Sequence, residues 1–224
     1  CKWQSGSSEN PALGLPYLTG LLILNDTRTG LPIGIMDSTW ITAMRTAAAT
    51  AVTARYLANP TADTLAMLGC GVQGRTNVEA LRIVFPGLHR VQAYDINPEA
   101  LRRYMDEVSR RYAIEVRPCG SPREALRGAH IVVTGGPIEP TAQRTIDADW
   151  LEPGMQGGAL YYDCYFRPAA LKAAHKFFTD DIPQMEHLKE YGYFLNIPPI
   201  TGEIGDVVAG RRKGRERTDE IIVA

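Results

Sequence analysis

Three glycines, Gly69, Gly71 and Gly74, carry the most specific chemistry in the chain; they stand in the run Thr-Leu-Ala-Met-Leu-Gly-Cys-Gly-Val-Gln-Gly-Arg-Thr at residues 64–76. In G-x-G-x-x-G spacing, Gly69 permits a tight turn, Gly71 lets a pyrophosphate reach bare backbone, and Gly74 lets a helix pack closely on a strand. The helix that follows presents unsatisfied N–H groups and a positive dipole end to the phosphates. Asp95 ends the next apolar run, somewhat further on than the usual spacing of about 20 residues. A carboxylate there accepts hydrogen bonds from both ribose hydroxyls and repels a 2′-phosphate, which favours NAD over NADP. The competing reading is an ordinary βαβ turn with a solvated aspartate.

Three further residues could act on a substrate. Asp163 follows Tyr161-Tyr162, and a carboxylate at a strand end can accept a proton from an amine or hold an ammonium. It could instead cap the segment that begins Arg167-Pro168. Arg45, flanked by Thr42 and Thr46, offers a planar guanidinium able to clamp a carboxylate bidentately, or it forms an ordinary surface salt bridge. Lys2, on residue chemistry alone, reads as a solvated side chain.

The elements that must position these residues can be read in order. Residues 1–20 are rich in Gly, Ser, Pro and Asn and read as loop. Residues 21–24 and 31–36 read as a hairpin around the turn Asn25-Asp26-Thr27, from a β-rich region that begins before Cys1. From Ser38 the pattern is helical, with small residues (Ala47, Ala48, Ala49, Ala51, Ala54) that allow close backbone approach, and Asn59-Pro60 ends it. From residue 61 to about 180, strands at 65–68, 91–94, 131–134, 155–162 and 177–179 alternate with helices, which implies a parallel sheet. Asn97-Pro98-Glu99 and Ser121-Pro122-Arg123-Glu124 are helix starts. Ligands of such a sheet sit at the carboxyl ends of its strands. That rule places Gly69 to Gly74, Asp95, Thr134 and Asp163 on one rim.

Composition narrows the partners. Hydrophobic residues make up 45% and charged residues 22% of the 224-residue chain, as in soluble globular proteins. Lysine plus arginine (24) balance aspartate plus glutamate (25), so no overall field favours nucleic acid or an anionic membrane. The basic run Arg211-Arg212-Lys213-Gly214-Arg215-Glu216-Arg217 reads as a solvated loop. Cys1, Cys70, Cys119 and Cys164 show neither metal-ligand nor disulfide spacing, so no metal is expected and a reducing, cytoplasmic setting fits. No apolar run is long enough to span a membrane. The chain opens at Cys1 without an initiator Met and stops inside an apolar run, so both ends read as cut.

Several segments stand in the order of a known family: Lys2-Trp3, Gly30-Leu31-Pro32, Asp37, Thr42-Ala43-Met44-Arg45-Thr46-Ala47-Ala48, Gly69-x-Gly71-Val72-Gln73, Ala129-His130-Ile131-Val132-Val133-Thr134 and Pro153-Gly154. Over essentially its whole length the chain resembles the ornithine cyclodeaminase/mu-crystallin family. The resemblance implies a doubly wound Rossmann domain binding NAD and a second α/β domain, built from both chain ends, that binds substrate and forms a homodimer. In this chain those parts would be residues 1–45 for the substrate and dimerisation domain, 46–200 for the Rossmann domain, and 201–224 for the return segment. It implies cofactor contacts at Gly69, Gly71, Val72, Gln73, Gly74, Asp95, Thr134 and Thr46. It implies carboxylate binding by Lys2 and Arg45 and a catalytic role for Asp163, with Lys2 beside it. The family's Gly-Gly-Asp-Cys-Pro-Gly pattern is altered here, since Tyr161-Tyr162 precede Asp163-Cys164 and Tyr165-Phe166 follow, which puts ornithine itself in doubt. The implied activity is hydride transfer at the amine or imine carbon of a small amino or imino acid: cyclising deamination with recycled NAD, or alternatively an amino-acid dehydrogenase or imine reductase. A non-catalytic nucleotide and small-ligand binder of the mu-crystallin type is the alternative from another class.

Overall fold

The computed structural model describes residues 1–7, 9–136, 144–160 and 164–224. Two compact units divide the chain, Cys1–Thr46 and Ala47–Ala224.

The first unit is a three-stranded antiparallel sheet, β1 (Lys2–Gly6), β2 (Leu18–Asn25) and β3 (Pro32–Asp37), in that spatial order. The expected hairpin is β2–β3. Its loop is closed by the Asp26 carboxylate, which accepts from the backbone N–H groups of Arg28 (2.9 Å) and Thr29 (2.7 Å). Residues 2–6 were expected as loop but form a strand, because pairing to β2 (Lys2 opposite Leu22, Gly6 opposite Leu18) overrides a weak local signal. Asp37 then accepts from the Thr39 N–H at 2.9 Å and starts α1 (Thr39–Leu57).

The second unit holds an eight-stranded, wholly parallel sheet. Its strands are β4 (Thr64–Leu68), β5 (Arg90–Tyr94), β6 (Glu115–Pro118), β7 (Ile131–Thr134), β8 (Gln156–Ala159), β9 (Lys176–Thr179), β10 (Gly202–Glu203) and β11 (Ile222–Val223). Their spatial order is β10-β9-β11-β8-β7-β4-β5-β6. The chain runs from β4 outward through β5 to β6, then returns to the other side of β4 as β7. The switch point of a doubly wound sheet therefore lies between β4 and β7. Helices α2 (Val72–Val84), α3 (Pro98–Tyr112), α4 (Pro122–Leu126), α5 (Pro168–Ala173), α6 (Ile182–Lys189) and α7 (Ile204–Val208) connect the strands.

Both faces of the sheet are covered, so every residue of β4 is buried. On one face Ala51 and Ala54 of α1 and Ala58 just after it pack with Leu65, Met67, Val78, Leu81 and Tyr104; on the other, Ala66, Leu68, Val132, Leu126, Phe166 and Phe177 form a second cluster. The two predicted helix starts hold: Asn97 accepts from the N–H groups of Glu99 and Ala100, and Ser121 accepts from that of Glu124. Among the described residues no helix is long and apolar enough to cross a membrane.

Two expectations need correction. Residues 201–224, expected as a return segment to the first domain, supply β10 and β11 to the large sheet, where β11 pairs with both β8 and β9. Strands of two residues carry no periodicity, so only the pairing reveals them. The second concerns the basic run, expected to be solvated throughout. Arg211 and Arg217 are exposed and pair with Asp206 and Asp219, but Arg215 is turned inward. Its Nε donates to Leu57 O at 2.7 Å, Nη1 to Glu220 O at 2.7 Å, and Nη2 to Gly154 O at 3.1 Å. Leu57 is the last residue of α1, whose carbonyl lacks an intrahelical partner. A five-donor guanidinium fork meets that need together with the turn before β8 and the C-terminal segment. Partial burial lowers the Arg215 pKa from its ordinary range, yet the group stays charged.

Removing this clamp leaves several carbonyls without donors. Arg215→Met is expected to lower stability by about 2–3 kcal/mol and the thermal midpoint by about 5–10 °C. Arg211→Met should stay within about 0.5 kcal/mol. Urea unfolding of the two variants side by side measures the contrast.

Candidate functional site

The glycine turn at the end of β4 has three different geometries at its three glycines. Gly69 adopts φ +104°, and a Cβ there would lie 2.8 Å from the carbonyl carbon of Gly135. A Cβ at Gly74 would lie 2.7 Å from Gly69 O and 3.1 Å from the Tyr104 ring. Gly71 is the opposite case, because a Cβ there would meet none of the described residues within 4 Å. Tightness at Gly69 and Gly74 is thus structural, whereas the open space over Gly71 is room for something outside the chain. Gly71 is also the N-cap of α2 and offers no side chain to satisfy the first-turn N–H groups. Open backbone, unsatisfied donors and a positive helix end together fit a dinucleotide pyrophosphate.

The surroundings hold that turn rigidly. Arg75 Nη1 donates back to the carbonyls of Cys70 (2.7 Å) and Gly71 (2.9 Å), while its Nε pairs with Glu107 of α3 at 2.6 Å. Asp95 accepts from the Cys70 N–H at 2.7 Å on one oxygen and from the Asn97 N–H at 2.8 Å on the other. Each carboxylate oxygen has a second lone pair, so Asp95 ties the turn to the start of α3 and can still accept ribose hydroxyls. The Cys70 thiol beneath is buried, and burial with the neighbouring Asp95 charge pushes its pKa up to about 12. It is a packing group, not a nucleophile.

The other predicted rim residues divide. Val72 opens α2 and is exposed; Gln73 is buried beside Gly135. Thr134 is fully buried, and its hydroxyl donates to Gly158 O at 3.4 Å within the sheet. Asp163, with Tyr161 and Tyr162, lies outside the described residues. Next in the chain, Cys164 is buried and the Tyr165 hydroxyl lies against Gly136 at the end of β7, where any side chain would collide with it.

In the first unit, Lys2, Gln4, Ser38, Thr42 and Arg45 gather between β1 and the start of α1. The Thr42 hydroxyl donates to Ser38 O at 2.7 Å and so accepts from Lys2 Nζ (3.4 Å) and from Gln4 Nε2. Burial and the Arg45 charge lower the Lys2 pKa from its ordinary 10.5. Among the described residues neither Lys2 nor Arg45 has a carboxylate in salt-bridge range. Two neighbouring cations without a counter-ion make a receptor for a carboxylate. Thr46 is the last residue of this unit. Gln4, absent from the sequence prediction, joins the cluster only because β1 is a strand that places it on the face of Lys2. Among the described residues no cluster of histidine, cysteine, aspartate and glutamate suits a metal ion.

A model of the ornithine cyclodeaminase/mu-crystallin family matches residues 1–224. An alanine dehydrogenase of Archaeoglobus fulgidus is 32% identical over 232 residues, covering 99% of this chain and 69% of its own. The structure of Thermococcus litoralis Δ1-pyrroline-2-carboxylate reductase, solved with NADH and L-proline, superposes with a TM-score of 0.84 at 29% identity, over 99% of this chain and 70% of that one. A lysine cyclodeaminase, solved for its recognition of L-lysine, L-ornithine and L-2,4-diaminobutyric acid, gives a TM-score of 0.84 at 26% identity, over 99% and 64% of the two chains.

Two outcomes follow from these geometries. Gly71→Val should keep the thermal midpoint within about 4 °C yet remove measurable dinucleotide binding. Gly74→Ala should cost about 1–3 kcal/mol of stability as well; melting curves and fluorescence titration separate the two. For the cation pair, Lys2 is charged below its lowered pKa and neutral above it. If the pair binds a substrate carboxylate, affinity should be full while that carboxylate is ionised and Lys2 is charged, and should fall as pH rises, beginning below 10.5. In Lys2→Arg the fall should disappear from a KM-against-pH profile, because guanidinium keeps its proton.

Proposed function

The chain belongs to the ornithine cyclodeaminase/mu-crystallin family, and on that premise we propose that it is an NAD-dependent enzyme moving hydride at the amine- or imine-bearing carbon of a small amino acid. The observation that carries this reading is the glycine turn at the β4–β7 switch point, closed at Gly69 and Gly74 and open at Gly71. NAD, when bound, supplies the hydride chemistry.

The chain's own residues supply binding and orientation. The N–H groups at the start of α2 receive the pyrophosphate, with Gly71 leaving them bare. Asp95 accepts the ribose hydroxyls, and its charge disfavours a 2′-phosphate. Arg45 and Lys2 hold the substrate carboxylate, with the Thr42 hydroxyl accepting from the Lys2 ammonium and from Gln4. Asp163 takes a proton from the substrate amine or orients it, a role that rests on the family resemblance. In a cyclising deamination the substrate's second amine displaces ammonia and there is no net redox change; in a dehydrogenase or imine reductase the cofactor is consumed.

A homodimer is the accompanying reading. Trp3 (75% exposed), Ile33 (64%) and Ile35 (68%) lie on strands of the first unit, and a second copy of the chain covering them would remove that apolar area from water. A cytoplasmic setting is consistent with four cysteines that form no disulfide.

The test offers L-ornithine, L-lysine and L-alanine separately with NAD⁺ while ammonia, cyclic product and NADH are followed together. We expect turnover with at least one of them, lost in Asp163→Asn. Ammonia and cyclic product without accumulating NADH identify cyclising deamination. NADH rising in step with ammonia identifies a dehydrogenase, and NADH consumed by a cyclic imino acid identifies a reductase. Absence of turnover with every amino and imino acid, despite intact folding, would sink the reading.

A further inference from the structure

Asn77 sits in α2 one turn after Gln73, and both side chains are buried. Its Nδ2 donates to the backbone carbonyl of Gln73 at 2.8 Å and to the Gln73 side-chain Oε1 at 3.2 Å. A backbone carbonyl only accepts, so it decides which end of the Asn77 carboxamide faces Gln73. Reversing Asn77 would set its oxygen against another oxygen. The same logic passes one step further. Because Asn77 presents N–H groups, the Gln73 atom facing it must be the acceptor Oε1, and the Gln73 NH₂ must face the other way.

Gln73 itself stands beside the glycine turn. Gln73 is the second residue of α2, two residues beyond Gly71. Its Cβ lies 3.5 Å from where a Cβ on Gly135 would stand, at the end of β7. Among the described residues, no oxygen accepts from Gln73 Nε2. The arrangement also carries a cost: Asn77 Oδ1 is buried without a hydrogen-bond partner. An apolar side chain of similar shape would remove that cost, so helix stability alone does not account for asparagine here.

We propose that Asn77 is a positioning residue for cofactor binding. It orients the Gln73 carboxamide so that Nε2 donates to a pyrophosphate oxygen of the dinucleotide, adding side-chain donors to the bare N–H groups at the start of α2. This rests on the cofactor reading above. It requires no contact between Asn77 and the ligand.

The experiment is a double-substitution cycle on the full chain, with the NADH dissociation constant from fluorescence titration and a melting curve for each variant. Asn77→Leu and Gln73→Leu should each weaken NADH binding about tenfold, while Asn77→Leu melts no lower than the unsubstituted chain. The double variant should bind no more weakly than Gln73→Leu alone. Asn77→Ser, which can still donate to the Gln73 carbonyl but does not reach Oε1, should show the same loss and serves if the leucine variant fails to fold. Unaltered NADH binding in Asn77→Ser would overturn the proposal, as would an equal further loss from Asn77→Leu in the Gln73→Leu background. Failure of the unsubstituted chain to bind NADH would overturn the cofactor reading itself, and this proposal with it.

Discussion

The carboxyl ends of β4 and β7 meet backbone to backbone, and the second unit is arranged by that contact. The Gly135 N–H donates to Leu68 O at 2.6 Å, and the Gly69 N–H donates to Tyr94 O at 2.8 Å. A side chain at Gly69 would strike Gly135, and one at Gly135 would come within 2.9 Å of the Met67 side chain. Glycine at 69 is therefore a packing requirement before it is a binding one, whereas at Gly135 the close neighbour is the movable end of Met67. With the two strand ends locked, α2 has one place to begin, and Gly74 lets it lie against Gly69 O. The first turn of α2 then starts at Gly71 with no side-chain cap among the described residues, a local cost that a bound anion relieves.

The two units offer an anion different physics. At the glycine turn the donors are backbone N–H groups and a helix end, which hold phosphate without adding a formal charge. Arg75 is engaged there by two carbonyls and the Glu107 carboxylate, so its role is to fix the turn. The Cys70 thiol below stays neutral because burial pushes its pKa up to about 12. Two formal charges are bonded to the turn: Arg75, which is paired with Glu107, and Asp95, which is negative. In the first unit the donors are two side-chain cations, and burial together with the Arg45 charge lowers the Lys2 pKa. Such a pair gains most from a carboxylate that both can share.

Much of this was legible in the sequence because it is local. A short apolar run, three glycines and a periodic helix report their own geometry, and Asn97 and Ser121 announce their helices within three residues. What was not legible depends on partners distant in the chain. Residues 2–6 become a strand through β2, and residues 202–203 and 222–223 become strands through β8 and β9. Arg215 sits in a run that reads as solvated, yet it serves the end of a helix more than 150 residues earlier. Lys2 carries no local signal at all, and only its convergence with Thr42 and Arg45 marks it. Gln73 and Asn77 stand four apart on a helix, a spacing too common to single out, and the informative part is the direction of one hydrogen bond.

The aromatic substitutions after Asp163 separate into two physical roles. Phe166 is fully buried, and its ring fills the place a side chain on Gly157 would take, at 2.8 Å from that Cβ position. It stands where the family pattern has glycine and packs against the bare backbone of β8, so it belongs to the core and says little about substrate. Tyr165 is different, because its hydroxyl lies against Gly136, immediately beyond the strand that carries Thr134 and Gly135. A phenol there narrows the rim beside the switch point and brings a hydroxyl where the family pattern has proline, which has none. Altered substrate choice should therefore be sought at Tyr165 before Phe166, even though the two are adjacent in the chain and equally foreign to the pattern.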